Sequence, residues 1–204
     1  MDLIKTIKTI SNIIYIYRIN NSLLAFKPSK NIKKEILVNK LAKLFKIKTI
    51  NLKPFEIDNK KGILMDYIKD STLLADYKKN LNQEQISQLK RIILFDIWIG
   101  NKDRHTANIF VNNNLTIFDN DKVFQQGLGR SFIKLDIGRK LNKNYVDIIE
   151  KLLDKNLTIK QVLKKLNFSE KDFVKIKNSD IRKTIKDKNL VNYLISRKNF
   201  TFNF

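Results

Sequence analysis

The spacing of apolar residues changes several times along the chain, and each change marks an element. Between Asn12 and Lys27 they crowd into two β-branched and aromatic runs, NIIYIYR and LLAFK, separated by INNS. Two such runs around a cluster of turn formers predict a β-hairpin. Pro28 follows; it holds Lys27 extended and ends the strand. Over 31–46 the period becomes helical. Ile36, Leu37, Leu41, Leu44 and Phe45 form a stripe, with lysines on the other face. KTINLKPFEID reads as extended, Asp58 to Gly62 as a turn, and ILMDYI (63–68) as another short strand.

The clearest helix covers 82–100. Asn82 is its cap, Glu84 an early acid, ISQLKRIILFDIWIG its apolar stripe, and Gly100 and Asn101 its stop. ANIFV, NNN and LTIFD then predict two short strands that return Asp119 toward residues 101–108. Beyond QQGLG the pattern predicts helices near 145–154, 158–166, 169–176 and 180–197, with Thr158 and Ser169 as two of the caps. The order is β-rich first and helical later, without βαβ alternation. It predicts an α+β fold in two lobes, a minimal β-rich one with a single helix over 1–70 and a mostly helical one over 71–204.

Composition narrows the chemistry. The 204 residues include 43% hydrophobic positions, enough for a core, and no cysteine. Disulfides, thiolate nucleophiles and cysteine-ligated zinc are thereby excluded. No apolar run reaches the roughly 18 residues a membrane span needs, and the N-terminal apolar run is too short for a signal peptide. The expected location is the cytoplasm. Forty-one Lys and Arg against 20 Asp and Glu leave a formal charge of +21. That balance suits an acidic partner, nucleic acid or an anionic surface. The lysines are spread along a chain also rich in Asn and Ile, so AT-rich coding accounts for them as well.

One loop gathers most of the chemistry. NKDRHTANIF, residues 101–110, holds the only histidine beside an acid, an arginine and an amide. Asn108 follows Asp103 by five positions, and Asp119 follows it by 16. The same Asp-to-Asn interval occurs in the catalytic loop of protein kinases, with a metal-binding Asp one short hairpin later. Phosphoryl transfer needs a carboxylate facing the attacking hydroxyl, and hard oxygens to hold Mg²⁺ on the phosphates. Simpler readings exist: Asp103 and Asn108 as turn caps, His105 as a structural histidine, and Asp119 as a hairpin-end residue with Asp121 as the ligand.

The stretch LFDIWIGNKDRHTANIFV…LTIFDNDKVF resembles the motif region of HipA-like kinases, which share an inverted D-R-H-x-x-N loop with the phosphatidylinositol 3/4-kinase-like group. The resemblance covers about residues 91–124 and extends weakly back to LLAFK. It implies a small protein-kinase-like fold that uses ATP and Mg²⁺. It makes Asp103 the residue that orients the substrate hydroxyl or accepts its proton, and Asn108 and Asp119 the Mg²⁺ ligands. Lys27 becomes the strand lysine on the ATP phosphates, and Met65, Asp66 and Tyr67 within ILMDYI the hinge toward adenine. Arg104 and His105 would support the loop or the developing phosphate charge. Asp96, on the preceding helix, is expected to be buried beside the loop and to anchor it, and Trp98 to lie in the core.

The chain departs from the pattern in places. The hairpin turn RINNSL has no glycine where a glycine-rich loop would cover the phosphates. Asn39-Lys40 stands where an Asn-Glu pair is usual, which leaves Glu35 as the acid for Lys27. The resemblance implies transfer to a Ser or Thr of a protein or of the chain itself, in a toxin–antitoxin context. The alternatives are a degenerate kinase fold or unrelated basic domain that grips nucleic acid or an acidic partner, and a lipid kinase.

Overall fold

The computed structural model describes residues 1–8, 13–79, 81–101, 104, 106–120, 122–124 and 176–202. The expected helices at 145–154 and 158–166, the QQGLG stretch and nearly all of 169–176 lie outside them. The fold is α+β. It opens with strands β1 (Asp2–Lys8), β2 (Ile13–Ile19) and β3 (Ser22–Pro28), then helix α1 (Ile32–Leu44) and strands β4 (Lys48–Thr49), β5 (Leu52–Ile57) and β6 (Lys60–Asp66). Next come β7 (Thr72–Leu73), helix α2 (Gln83–Ile99), and β8 (Ile109–Val111) with β9 (Leu115–Ile117). Helices α3 (Asn178–Thr184) and α4 (Lys188–Phe202) close the described chain.

β1, β2, β3, β6 and β5 form one antiparallel sheet in that order. Two of its hairpins turn on a pair of left-handed residues, Asn20 and Asn21 (φ 45° and 62°) and Asp58 and Asn59 (φ 48° and 60°). A type I′ turn demands positive φ at both central positions, and Asn and Asp tolerate it best among residues with a side chain. The second turn is thus only two residues long, and Gly62, expected in it, lies inside β6. Pro54 is admitted to β5 because β5 is an edge strand. β1 has no counterpart in the sequence reading. Nearly all of it is exposed, so no buried face imprints a period on its sequence.

Register sorts the sheet's two faces. Lys27 pairs with Ile63, and Ala25 with Met65, on one face. Phe26 pairs with Leu64 and Tyr15 on the other, where they cluster with Tyr17 and Ile57. α1 lies against the Lys27 face. Its buried residues are Glu35, Val38, Asn39, Leu41 and Ala42. The stripe is therefore rotated from the expected one, with Ile36, Leu37 and Leu44 only half-buried.

The larger core joins α1 to the second half of the chain. Phe45 contacts Phe95 and Trp98 with ring centroids 5.2 and 5.0 Å apart. Trp98, in the core as expected, donates its indole N–H to Leu194 O at 2.9 Å, tying α4 to α2. β4, from the first seventy residues, joins β9, β8 and β7 in a four-stranded sheet. The helix expected over 180–197 is two helices. Ile185 is buried and extended between them, and Asp187 caps α4 by accepting from the N–H groups of Asn189 and Leu190. Among the described residues no helix is long and apolar enough to cross a membrane.

Candidate active site

Lys27 sits at the end of β3, followed by the proline that stops the strand, and is only 6% exposed. Its Nζ donates to Glu35 Oε2 at 3.1 Å and to Asp119 Oδ1 at 2.6 Å. One ammonium thus bridges a carboxylate from α1 and one from the far side of β9. Glu35 is fixed by a second bond, from Ser29 Oγ to Oε1 at 2.9 Å. Ser29 also accepts from the N–H of Asn31, so the turn that starts α1 and the acid on its first turn are one construction. Lys40, in the expected acid position, is exposed, while Asn39 beside it is buried and donates to Ile50 O.

These contacts set the charges. Burial works against the Lys27 ammonium, but Asp119 and Glu35 outweigh it and hold its pKa above the ordinary lysine value. Burial pushes the Glu35 carboxyl up, against the opposing pull of Lys27 and Ser29. Lys27 is therefore a firmly held cation facing a half-exposed carboxylate.

The base of the β8–β9 hairpin is held by Arg104, which is 1% exposed. Its Nε and Nη2 donate to the two oxygens of Asp96 at 2.9 and 3.2 Å. Nη1 donates to the carbonyls of Phe118 at 3.0 Å and Asn108 at 3.4 Å, and Nη2 also reaches Asn120 Oδ1. Five N–H groups therefore have five acceptors. Of the two roles expected for Arg104, loop support matches these contacts, and no donor is left for a phosphate. Asp96 is the buried anchor the sequence suggested. Asn101 Nδ2 donates to it at 2.9 Å, and α2 ends in a Schellman turn in which Gly100 has φ 63° and Asn101 N–H returns to Asp96 O.

This clamp sets Asn108 beside Asp119. Phe118 N–H donates to Asn108 O at 3.2 Å, so the residue before Asp119 lies opposite Asn108. Asp119 then turns left-handed, at φ 54°, and its carboxylate meets Lys27. Asn108 is buried in the single 3-10 turn Thr106–Asn108. Amide and carboxylate oxygens are hard donors and fit Mg²⁺, which commonly takes one or two protein carboxylates and completes its shell with phosphate and water.

Asp103, His105 and Asp121 lie outside the described residues. The expected hinge begins at the end of β6: Met65 is half-buried and paired with Ala25, while Asp66 is exposed and accepts from Asn51 Nδ2 at 2.7 Å. Tyr67, also exposed, donates its N–H to Leu23 O at 3.2 Å, so that donor does not face adenine. The turn RINNSL is displaced from its expected role too. Ile19 pairs with Ser22 at one end of β3, while Lys8 pairs with Ile13 at the Lys27 end. The connection at the Lys27 end of the sheet is therefore residues 9–12, outside the described residues. Sequence reasoning also missed Ser29 and Asn120, and read Asn101 only as a helix stop, without its side-chain bond to Asp96. The only signal for Asn120 was its place directly after Asp119.

No protein-family model matches the chain, and no curated protein matches it significantly. Among solved structures it is similar to the Helicobacter pylori proinflammatory kinase CtkA, at 14% identity and a TM-score of 0.48, over 93% of this chain and 90% of that one. It is also similar to WaaP in its complex with acyl carrier protein, at 10% identity and a TM-score of 0.44, over 97% and 88% of the two chains.

Proposed function

We propose that the chain is an ATP- and Mg²⁺-dependent phosphotransferase that moves the γ-phosphoryl group to a hydroxyl, in the manner of HipA-like serine/threonine kinases. The carrying observation is the buried Lys27, paired with Glu35 of α1 and gripping Asp119. Kinases pair a strand lysine with a helix glutamate and place a metal-binding Asp beside them.

In this reading Lys27 binds phosphate oxygens, and Glu35 keeps its ammonium from swinging away. Asp119 and Asn108 hold Mg²⁺, which supplies charge neutralisation on the phosphates. Asp103 orients the acceptor hydroxyl and takes its proton as the acceptor oxygen bonds to the γ-phosphorus. The bond from that phosphorus to the β–γ bridging oxygen breaks, and ADP leaves. Arg104 and Asp96 fix the loop, so catalysis rests on positioning and electrostatics rather than covalent chemistry. Met65 and Asp66 border the adenine. The acceptor is a Ser or Thr of a protein or of the chain itself, and the setting a toxin–antitoxin pair.

The test is incubation with γ-labelled ATP and Mg²⁺, alone and with a cell lysate. Label is expected on protein with the wild type and absent with Asp103→Ala and Asp119→Ala. Wild type no more active than either variant would reject the reading. The +21 charge favours one second reading, a basic module that binds nucleic acid. Binding that weakens steeply with salt and is indifferent to Asp119→Ala would support it.

A further inference from the structure

Away from Lys27, Glu35, Asn108 and Asp119, a cavity of about 200 Å³ opens where the end of α1, the first half of α2 and the β8–β9 turn meet. Lys46, Lys48 and Arg91 all line it, against one acid, Glu84. Its wall includes Ile47, Ile92 and Leu115, buried side chains that give it an apolar side. Gln88 also lines it and is fixed: its Oε1 accepts from Leu115 N–H at 2.7 Å, and its Nε2 donates to Asn114 at 2.8 Å.

Two observations separate this cluster from the general excess of lysine. Lys46 is left-handed, at φ 55°. It occupies the position after α1 where glycine is the default, in a Schellman turn whose N–H groups return to Lys43 O and Ala42 O. A lysine at that place holds its cation at the cavity against a backbone preference. Among the described residues Arg91 is engaged by Glu84 alone, at 3.1 Å, and that carboxylate is largely exposed. Such a pair contributes little, so a stronger anion can replace Glu84 on the guanidinium, whose fork suits phosphate oxygens.

We propose that this cavity binds a small organic phosphomonoester, its dianion between Lys46, Lys48 and Arg91 and its apolar body against Ile47, Ile92 and Leu115. The site is separate from the cleft at Lys27, and its occupancy does not depend on phosphotransfer.

Phenyl phosphate is a suitable probe, titrated by calorimetry at constant ionic strength. Saturable binding is expected at millimolar concentration or tighter. Arg91→Ala and Lys46→Gly should each weaken it at least about tenfold, whereas Lys53→Ala, at an exposed lysine away from the cavity, should leave it unchanged. Lys46→Gly removes the cation while relieving the positive φ, so loss of binding in that variant cannot be ascribed to unfolding. Four results would overturn the assignment: no saturable binding, wild-type binding in Lys46→Gly and Arg91→Ala, loss of binding in Lys53→Ala, or inorganic phosphate or phenol binding as tightly as phenyl phosphate.

Discussion

Lys27 and Asp119 stand 92 positions apart and meet at 2.6 Å. A contact this distant in sequence closes the gap between the five-stranded sheet and the β8–β9 hairpin, so the lysine is at once a structural bridge and the proposed phosphate ligand. Lys27→Met should expose both roles. Phosphotransfer should fall by about 100-fold or more, the scale of losing one preorganised donor. Stability should also drop, by about 3 kcal/mol, because Glu35 is left buried without its cation. Urea unfolding measures the second effect without any assay of activity. A variant as stable as the wild type would show that Glu35 and Asp119 do not depend on the ammonium.

Glu35 gives a pH prediction whose sign follows from its burial. Its carboxyl is held above the ordinary range, so the folded protein binds this proton more tightly than the unfolded chain does. The stabilisation is present below the ordinary glutamate value of about 4.3 and is lost as pH rises through the raised folded-state value. Glutamine does not titrate. The stability of Glu35→Gln relative to wild type should therefore improve as pH rises above about 4.3 and level off once the wild-type carboxyl is ionised. Lys27 adds nothing to this window. Its pKa is raised, so its contribution is complete below about 10.4 and lost only above. Denaturant melts of both proteins at matched pH provide the comparison, and a difference that stays flat would contradict the assigned direction.

Arg104→Lys isolates geometry from charge. Lysine keeps the cation beside Asp96 but cannot reach Asp96, Phe118, Asn108 and Asn120 at once. The expected cost is about 3 kcal/mol, typical of a broken buried pair, seen as a lower urea midpoint at unchanged slope. Phosphotransfer in the surviving folded fraction should fall as well, since Asn108 and Asp119 lose their common anchor. A variant within about 0.5 kcal/mol of wild type would mean the clamp is redundant.

Much of this was legible before any coordinates. The β2–β3 hairpin, α1, α2 with its Asn82 cap and Gly100 stop, and the β8–β9 hairpin all follow local rules of period and punctuation. Asn82 does accept from Gln85 N–H, and Gln85 returns a bond to Asn82 N–H, a reciprocal cap. The spacing of Asn108 and Asp119 was readable because both belong to one short hairpin. What escaped depends on contacts between distant segments. β1 carries too little burial to show a period. Ile185 interrupts a helical pattern because the core takes its side chain. The sequence leaves Arg104 between loop support and the phosphate charge, and its acceptors, spread over α2, the turn before β8 and the residues after β9, match the first. Glu35 is legible as the acid for Lys27 only because Lys40 cannot serve, and its bond from Ser29 was not foreseen.

Gly62 supplies the last test, because nothing in its sequence context distinguishes it from a turn glycine. It lies in β6 opposite Pro28 and Phe55. A Cβ there would press on the backbone carbonyl of Lys27 and come within 2.7 Å of the Phe26 ring. The ring could shift; the carbonyl belongs to the strand that positions the lysine. Gly62→Ala should therefore cost about 1–3 kcal/mol, the range for forcing added volume into a packed site, although alanine ordinarily improves a strand. It should also raise the KM for ATP, because β3 must move at Lys27 to admit the methyl group. Gly62→Ala with wild-type stability and an unchanged KM would show that β3 and β6 can separate freely, and that Lys27 is not held by the fit of those two strands.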